Sequence, residues 1–327
     1  MIGTTVCAVD GLTVAYHSGG EWLQAVREVS FEVCSGEILA IVGETGSGKS
    51  TTATAMIRML PRNGQVVSGR VSFDGRDLLA LSTGDMRRLR GQDIAYVPQQ
   101  PMSAFNPTMT VGRQVAEPLL IHRGMSQREA APLAAKRLRE MGIHEVERVM
   151  RAYPHELSGG MLQRAMIATA MICQPRLLIL DEPTSALDVT IQRQILSLIK
   201  EVQVGYHLAV VLISHDLTVV SQVADRILVL YGGRAAEIGP TVDITTRSRH
   251  PYTRGLLRST LTGTLEHKAK LTSLAGYPPN PLEVDREPGC PFRPRCHREI
   301  AECAVAFPPL EGEPGHLWAC YDPEPVS

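Results

Sequence analysis

The sequence predicts an α/β fold built on a parallel sheet, and three observations carry that expectation. The runs "EILAIVG" (37–43), "RLLILD" (176–181) and "AVVLIS" (209–214) have the length and unbroken apolar character of strands buried on both faces. Helix-like segments, "STTATAMIRML" (50–60) and "DVTIQRQILSLIKEVQ" (188–203), fall between them. Strands alternating with helices in this way imply right-handed crossovers within a parallel sheet. A glycine-rich stretch, "GETGSGKS", joins the first run to the first helix.

Taken in chain order, residues 4–45 read as β-rich. "AVDGLTVAY" and "EVSFEV" alternate apolar and polar residues with glycine turns between, which predicts an N-terminal antiparallel β subdomain. "GRVSFDGRDL" adds a strand and turn. From about 98 to 174 the pattern becomes helical and polar, most clearly in "REAAPLAAKRLREMGI", so an α-helical subdomain is inserted there. After about residue 245 prolines and glycines multiply, as in "YPPNPLEVDREPGCPF", and periodicity fades. The expected division is a main domain over 1–245 and a small, irregular, Cys-containing extension over 246–327.

Composition narrows the classes. A chain of 327 residues is long enough for a large α/β domain with an appendage. Its net charge of −1 gives no support for nucleic-acid binding, and no nucleic-acid partner is expected. No apolar run approaches eighteen residues, and "MIGTTVCAVDGLTV" lacks the basic-then-apolar order of a secretory signal. A cytosolic location is therefore expected, where clustered cysteines point to metal or redox chemistry rather than disulfides.

"GETGSGKS" fits the phosphate-loop pattern in the strand–loop–helix context that pattern needs. Gly43, Gly46 and Gly48 let the backbone N–H groups of Glu44, Thr45, Ser47 and their neighbours turn toward phosphates. The helix N-terminus at Lys49, Ser50 and Thr51 adds partial positive charge. Lys49 would reach the β- and γ-phosphates of ATP, and the Ser50 hydroxyl would bind Mg²⁺. "LLILDEP" sets Asp181 and Glu182 at the end of a buried strand. Asp181 can hold Mg²⁺ through water, and Glu182 can polarise an attacking water. "LSGGMLQR" (157–164) places Ser158, Gly159 and Gly160 at another helix N-terminus.

With that last stretch the chain resembles the ATP-binding subunits of ABC transporters, whose signature is LSGGQ-like; Met161 stands in the final position here. The resemblance implies that Ser158, Gly159 and Gly160 contact the γ-phosphate of ATP held by a partner subunit. It gives Tyr16, 27 residues ahead of Gly43, the role of stacking on adenine. Gln99 becomes the sensor of Mg²⁺ and the attacking water, with adjacent Gln100 leaving the register open by one residue. Asp188, closing "SALD", belongs to a loop that crosses the dimer interface, and His215 contacts the γ-phosphate. Together they imply an ATPase.

Only one copy of each motif is present, so the resemblance implies a second ABC ATPase subunit, a different chain, arranged head to tail with this one. It also implies two membrane permease subunits and, indirectly, an extracytoplasmic substrate-binding protein. The location would be peripheral, on the cytoplasmic face of the inner membrane. "PQQPMSAFNPTMTVGRQVAEPL" lies between sensor and signature, and is expected to receive a short helix of a membrane subunit around Phe105 and Met109.

The tail sharpens the resemblance. "RHPYTRGLL" followed by "GCPFRPRC" resembles the C-terminal extension of ATPases serving oligopeptide and dipeptide importers. Import of nickel or a metal chelate is the alternative within that group. A soluble ABC ATPase, or a phosphate-loop iron–sulfur carrier, lies further off: the carrier would not explain "LSGGM", "SALD" and His215 together. Cys290, Cys296, Cys303 and Cys320 are separated by five, six and sixteen residues, which can gather four thiolates round Zn²⁺ or an iron–sulfur cluster. The resemblance implies a [4Fe–4S] cluster. Unligated cysteines, and His297 or His316 as substitute ligands, remain open. Cys7, Cys34 and Cys173 read as core residues.

Overall fold

The computed structural model describes residues 3–185, 187–261, 274, 276–279, 284 and 288–325. The chain packs as two compact units, each discontinuous in sequence: residues 1–6, 33–37 and 80–212, and residues 7–32, 38–79 and 213–327.

The second unit holds the strand Ile38–Val42, whose five residues are all fully buried, as its unbroken apolar run predicts. It pairs in parallel with Arg226–Tyr231, in register Leu39 to Arg226 through Val42 to Val229. Arg226–Tyr231 pairs antiparallel with Arg234–Pro240 across an irregularity between Ala235 and Glu237. The next strand outward belongs to the C-terminal tail: His316–Trp318 pairs with Arg234–Pro240, and Glu311–Glu313 pairs with His316–Trp318. The extension is therefore less irregular than expected, because it supplies two strands to the sheet. Each is three residues long, with Gly312 inside the first and Gly315 just before the second, so neither shows an alternation in the sequence. The same unit carries the antiparallel sheet, in which Thr5–Ser18 lies between Glu21–Cys34 and Gly64–Phe73.

In the first unit Ile94–Val97 and Leu177–Asp181 pair in parallel, with Ala209–Ser214 beyond. Between the first two strands come the inserted helices, among them Val111–Arg123, Gln127–Glu140 and Gly159–Met171. Ser126 and Glu129 close a capping box at the start of Gln127–Glu140, satisfying two otherwise open helix-end donors. Cys7, Cys34 and Cys173 are all buried.

The segment expected to receive a membrane helix differs in one respect. Phe105 is buried, and the exposed apolar side chain is Met102. Gln114 explains why Phe105 turns inward. Its buried amide accepts from Asn106 N–H (2.7 Å) and donates to the carbonyls of Asn106 and Met109 (both 3.0 Å), pinning the loop after Phe105 against its helix.

Candidate functional site

The phosphate loop is shaped by positions where only glycine fits. A Cβ at Gly43 would lie 2.3 Å from the Leu230 carbonyl oxygen, and one at Gly48, where φ is +99°, would lie 2.6 Å from that of Ala25. The helix Lys49–Met56 follows, and no side chain caps its N-terminus. Its first amides remain donors for an anion. Lys49 is buried, and its Nζ donates to the carbonyls of Gly43 (2.7 Å) and Glu44 (2.9 Å). The Ser47 hydroxyl is buried without a protein partner among the described residues. A narrow backbone cradle, a lysine and a buried hydroxyl fit a polyphosphate.

Tyr16, two residues before the end of its strand, lies opposite Gly64, whose missing side chain leaves room for the ring: a Cβ there would lie 2.6 Å from it. The Tyr16 hydroxyl donates to Thr51 Oγ1 (3.2 Å), tethering the ring to the first turn of the phosphate-loop helix. His215 follows the strand Ala209–Ser214 and is exposed.

The first unit carries the acidic pair. Asp181 ends a fully buried strand and is itself buried. It accepts a hydrogen bond from the Tyr96 hydroxyl (3.0 Å). Burial, reinforced by the Asp181 charge, holds the Tyr96 phenol well above its ordinary pKa, so it stays a donor. Glu182 adopts a left-handed backbone, φ +44°, a conformation rarely held without cause outside glycine. Its carboxylate accepts from Gln99 Nε2 (3.1 Å). Gln99 is thus the glutamine that meets the carboxylate, while Gln100 precedes the short helix Pro101–Ala104 and its side chain makes no capping hydrogen bond. At the signature turn the Ser158 hydroxyl accepts from Met161 N–H (3.3 Å) and caps Gly159–Met171. Gly160 lies against Ile191, where a Cβ would come within 2.8 Å of its side chain. Met161 Sδ receives Arg148 Nη2 at 3.8 Å. Asp188 accepts from Thr190 and Ile191 N–H (3.0 Å each) and caps Val189–Tyr206.

The structure brings Gln99 to Glu182 and Tyr16 to Thr51. Sequence reasoning passed over Tyr96, whose only signal is a polar aromatic in the strand before Gln99. It also passed over the residues that hold Glu44. Arg295 from the tail forms a two-pronged ion pair with the Glu44 carboxylate (2.6 and 3.0 Å), and the Tyr252 hydroxyl accepts from Glu44 N–H (2.9 Å), so this amide is directed at Tyr252 instead of toward a phosphate as expected.

Of the four tail cysteines, Cys303 is buried and Cys290, Cys296 and Cys320 are partly exposed. Cys290 N–H donates to the Cys303 carbonyl (2.8 Å), and Cys296 Sγ accepts from Arg298 N–H (3.4 Å). Burial pushes the Cys290 thiol up to about 11 and Cys320 up to about 12. The charges of Cys296 and Cys303 add to the shift of Cys290, and those of Cys290, Cys296 and Cys303 to that of Cys320. Among the described residues, no three His, Cys, Asp or Glu side chains converge as a single ion requires. Tetrahedral zinc at about 2.3 Å from each sulfur would need thiolates about 3.8 Å apart. The two histidines that could substitute are otherwise engaged: His316 Nε2 lies 2.7 Å from Glu237 Oε1, and His297 Nε2 lies 2.9 Å from Glu324 Oε1.

Residues 26–185 match the model of the ABC transporter family, and residues 236–303 match that of the oligopeptide/dipeptide transporter C-terminal region. The chain is 47% identical to the dipeptide transport ATP-binding protein DppD of Bacillus subtilis, over 93% of this chain and 90% of that one. It is 42% identical to the oligopeptide transport ATP-binding protein OppD of Escherichia coli, over 96% and 92%. Among solved structures, a dimeric ATP-binding cassette in a post-hydrolysis state with ADP and Pi superposes with a TM-score of 0.65. That match is at 29% identity and covers 72% of this chain and 98% of the other.

Proposed function

The chain belongs to the ATP-binding subunits of ABC transporters, in their dipeptide and oligopeptide group, and from that premise we propose that it energises the import of di- and oligopeptides. It is an ATPase. The observation that carries the reading is the Gln99–Glu182 pair at the end of a buried strand, in a chain whose C-terminal region matches the peptide-transporter model.

In this proposal Lys49 and the loop amides hold the phosphates of ATP, Ser50, Gln99 and Asp181 serve its Mg²⁺, and Tyr16 stacks on the adenine. Glu182, oriented by Gln99, polarises the attacking water, and His215 contacts the γ-phosphate. Ser158, Gly159, Gly160 and Asp188 face the ATP of a second ATPase subunit, a different chain. ATP favours the closed pair and hydrolysis reopens it, a population shift that two permease subunits convert into transport. No helix among the described residues is long and apolar enough to cross a membrane. The chain would sit peripherally on the cytoplasmic face, docking through the segment that exposes Met102, with substrate delivered by an extracytoplasmic binding protein.

We assign Cys290, Cys296, Cys303 and Cys320 to a [4Fe–4S] cluster. What supports the reading is four cysteines within residues 290–320, in a tail that resembles that of peptide-transporter ATPases. Bound there, a cluster would cross-link the tail and could exchange an electron.

The test is uptake in cells lacking this chain. Wild-type chain restores uptake of a labelled dipeptide and Glu182→Gln does not. Restoration of nickel uptake without dipeptide uptake would replace the peptide reading with the nickel one.

A further inference from the structure

We propose that Arg295 is a positioning residue for ATP binding: from the C-terminal tail, and through Glu44, it sets the conformation of the phosphate loop. The proposal rests on the ATPase reading.

Glu44 is the residue after Gly43, where the loop leaves its strand. It is held at three points. Its carboxylate takes both prongs of the Arg295 guanidinium, at 2.6 and 3.0 Å. Its N–H donates to the Tyr252 hydroxyl at 2.9 Å. Its carbonyl accepts from Lys49 Nζ at 2.9 Å. Side chain, amide and carbonyl of one loop residue are thereby each given a partner. Two of the three partners lie more than two hundred residues further along the chain.

The partners are themselves fixed. The Arg295 side chain is only 5% exposed. It also donates to the Tyr231 hydroxyl (3.2 Å) and lies over the rings of Tyr231 and Phe292, at 5.8 and 5.9 Å. The Tyr252 ring is fully buried, 4.4 Å from that of Tyr231 and 5.4 Å from that of Phe292. A planar fork packed against two aromatic rings and paired on both prongs has little freedom to reorient, so it transmits position as well as charge. A guanidinium this buried also needs its carboxylate, because removing one partner leaves the other charge uncompensated.

The consequence for nucleotide binding follows from preorganisation. A loop already ordered before ATP arrives loses less conformational freedom on binding than one that must be ordered by it. Arg295 lies in the tail segment between Cys290 and Cys296, so the ordering of that segment reaches the phosphate loop through this ion pair.

The experiment is calorimetric titration of the full chain with a non-hydrolysable ATP analogue and Mg²⁺. It uses wild type, Arg295→Gln, Glu44→Gln, the double variant and Tyr252→Phe, with thermal unfolding recorded without nucleotide. Arg295→Gln and Glu44→Gln are each expected to weaken binding about tenfold, equivalent to about 1.4 kcal/mol. The double variant is expected to stay near tenfold rather than reach the hundredfold product of independent effects. Tyr252→Phe keeps the buried ring, removes the acceptor for Glu44 N–H and weakens binding in the same direction. If Arg295→Gln does not fold, Glu44→Gln and Tyr252→Phe decide the matter. Folded variants with wild-type affinity, or fully multiplicative losses, overturn the proposal. A wild-type chain that does not bind the analogue overturns the ATPase reading and this proposal with it; wild-type binding beside equal binding by the variants overturns this proposal alone.

Discussion

Glu237 anchors the tail, and replacing it by alanine gives a quantitative test of that anchoring. The carboxylate is completely buried. It accepts three hydrogen bonds: from Arg249 N–H (2.7 Å), from His250 N–H (3.1 Å) and from His316 Nε2 (2.7 Å). Two come from the turn entering the helix Pro251–Leu261 and one from the tail strand that extends the sheet. Glu237→Ala strips all three donors of their acceptor at once. Each unsatisfied buried donor costs about 1–3 kcal/mol, so the loss should be about 3 kcal/mol even at the low end. Urea unfolding followed by tryptophan fluorescence reads this locally, because Trp318 lies opposite Glu237 in the strand register and carries the Arg249 guanidinium over its ring at 4.6 Å. Glu237→Gln, which keeps one acceptor oxygen, should fall between alanine and wild type. A loss below about 1 kcal/mol for Glu237→Ala would be the size of an ordinary surface change and would refute the reasoning.

Three further outcomes are expected. His250 is fully buried, and burial lowers its pKa from 6.5 to about 4, opposed in part by the Glu237 charge. The unfolded chain therefore takes up this proton at a higher pH than the folded one. Stability is intact above pH 6.5 and falls by about 3 kcal/mol as the pH drops toward 4, while His250→Gln flattens that part of the urea-derived profile; parallel profiles would contradict it. Purified without oxygen, the chain should carry about four irons and four sulfides, lost in Cys296→Ser; about one zinc and no sulfide would make the tail centre a zinc clamp. Met102→Glu should reduce pull-down of the membrane subunits while leaving the melting temperature near wild type, and Phe105→Glu should lower the melting temperature because that ring is buried. Equal complex formation by Met102→Glu would remove the docking assignment.

The parts legible in sequence were those with an unbroken signal. "EILAIVG", "RLLILD" and "AVVLIS" appear as the strands Ile38–Val42, Leu177–Asp181 and Ala209–Ser214 because continuous apolar runs of that length have few other homes. The strand Arg226–Tyr231 has the same texture but carries no motif, so a motif-led reading passes over it. The tail strands were illegible because three residues cannot display an alternation. The burial of Phe105 was not legible because composition alone does not say which way the side chain that follows a four-residue helix turns. The Gln99 or Gln100 ambiguity needed geometry, since neighbouring glutamines differ only in where their side chains reach. The pairing of Arg295 with Glu44 had no local signal at all: the two are 251 positions apart, and ion pairs follow no period.

ATP hydrolysis by the purified chain, wild type beside Glu182→Gln, tests most directly whether this site does the work assigned to it. Removing a positioned general base costs about 10²–10⁴ in rate, so the variant should fall to background while still binding ATP and accumulating as an ATP-bound dimer. Turnover by Glu182→Gln equal to wild type would contradict the assignment of Glu182, and with it the catalytic arrangement derived from the Gln99–Glu182 pair.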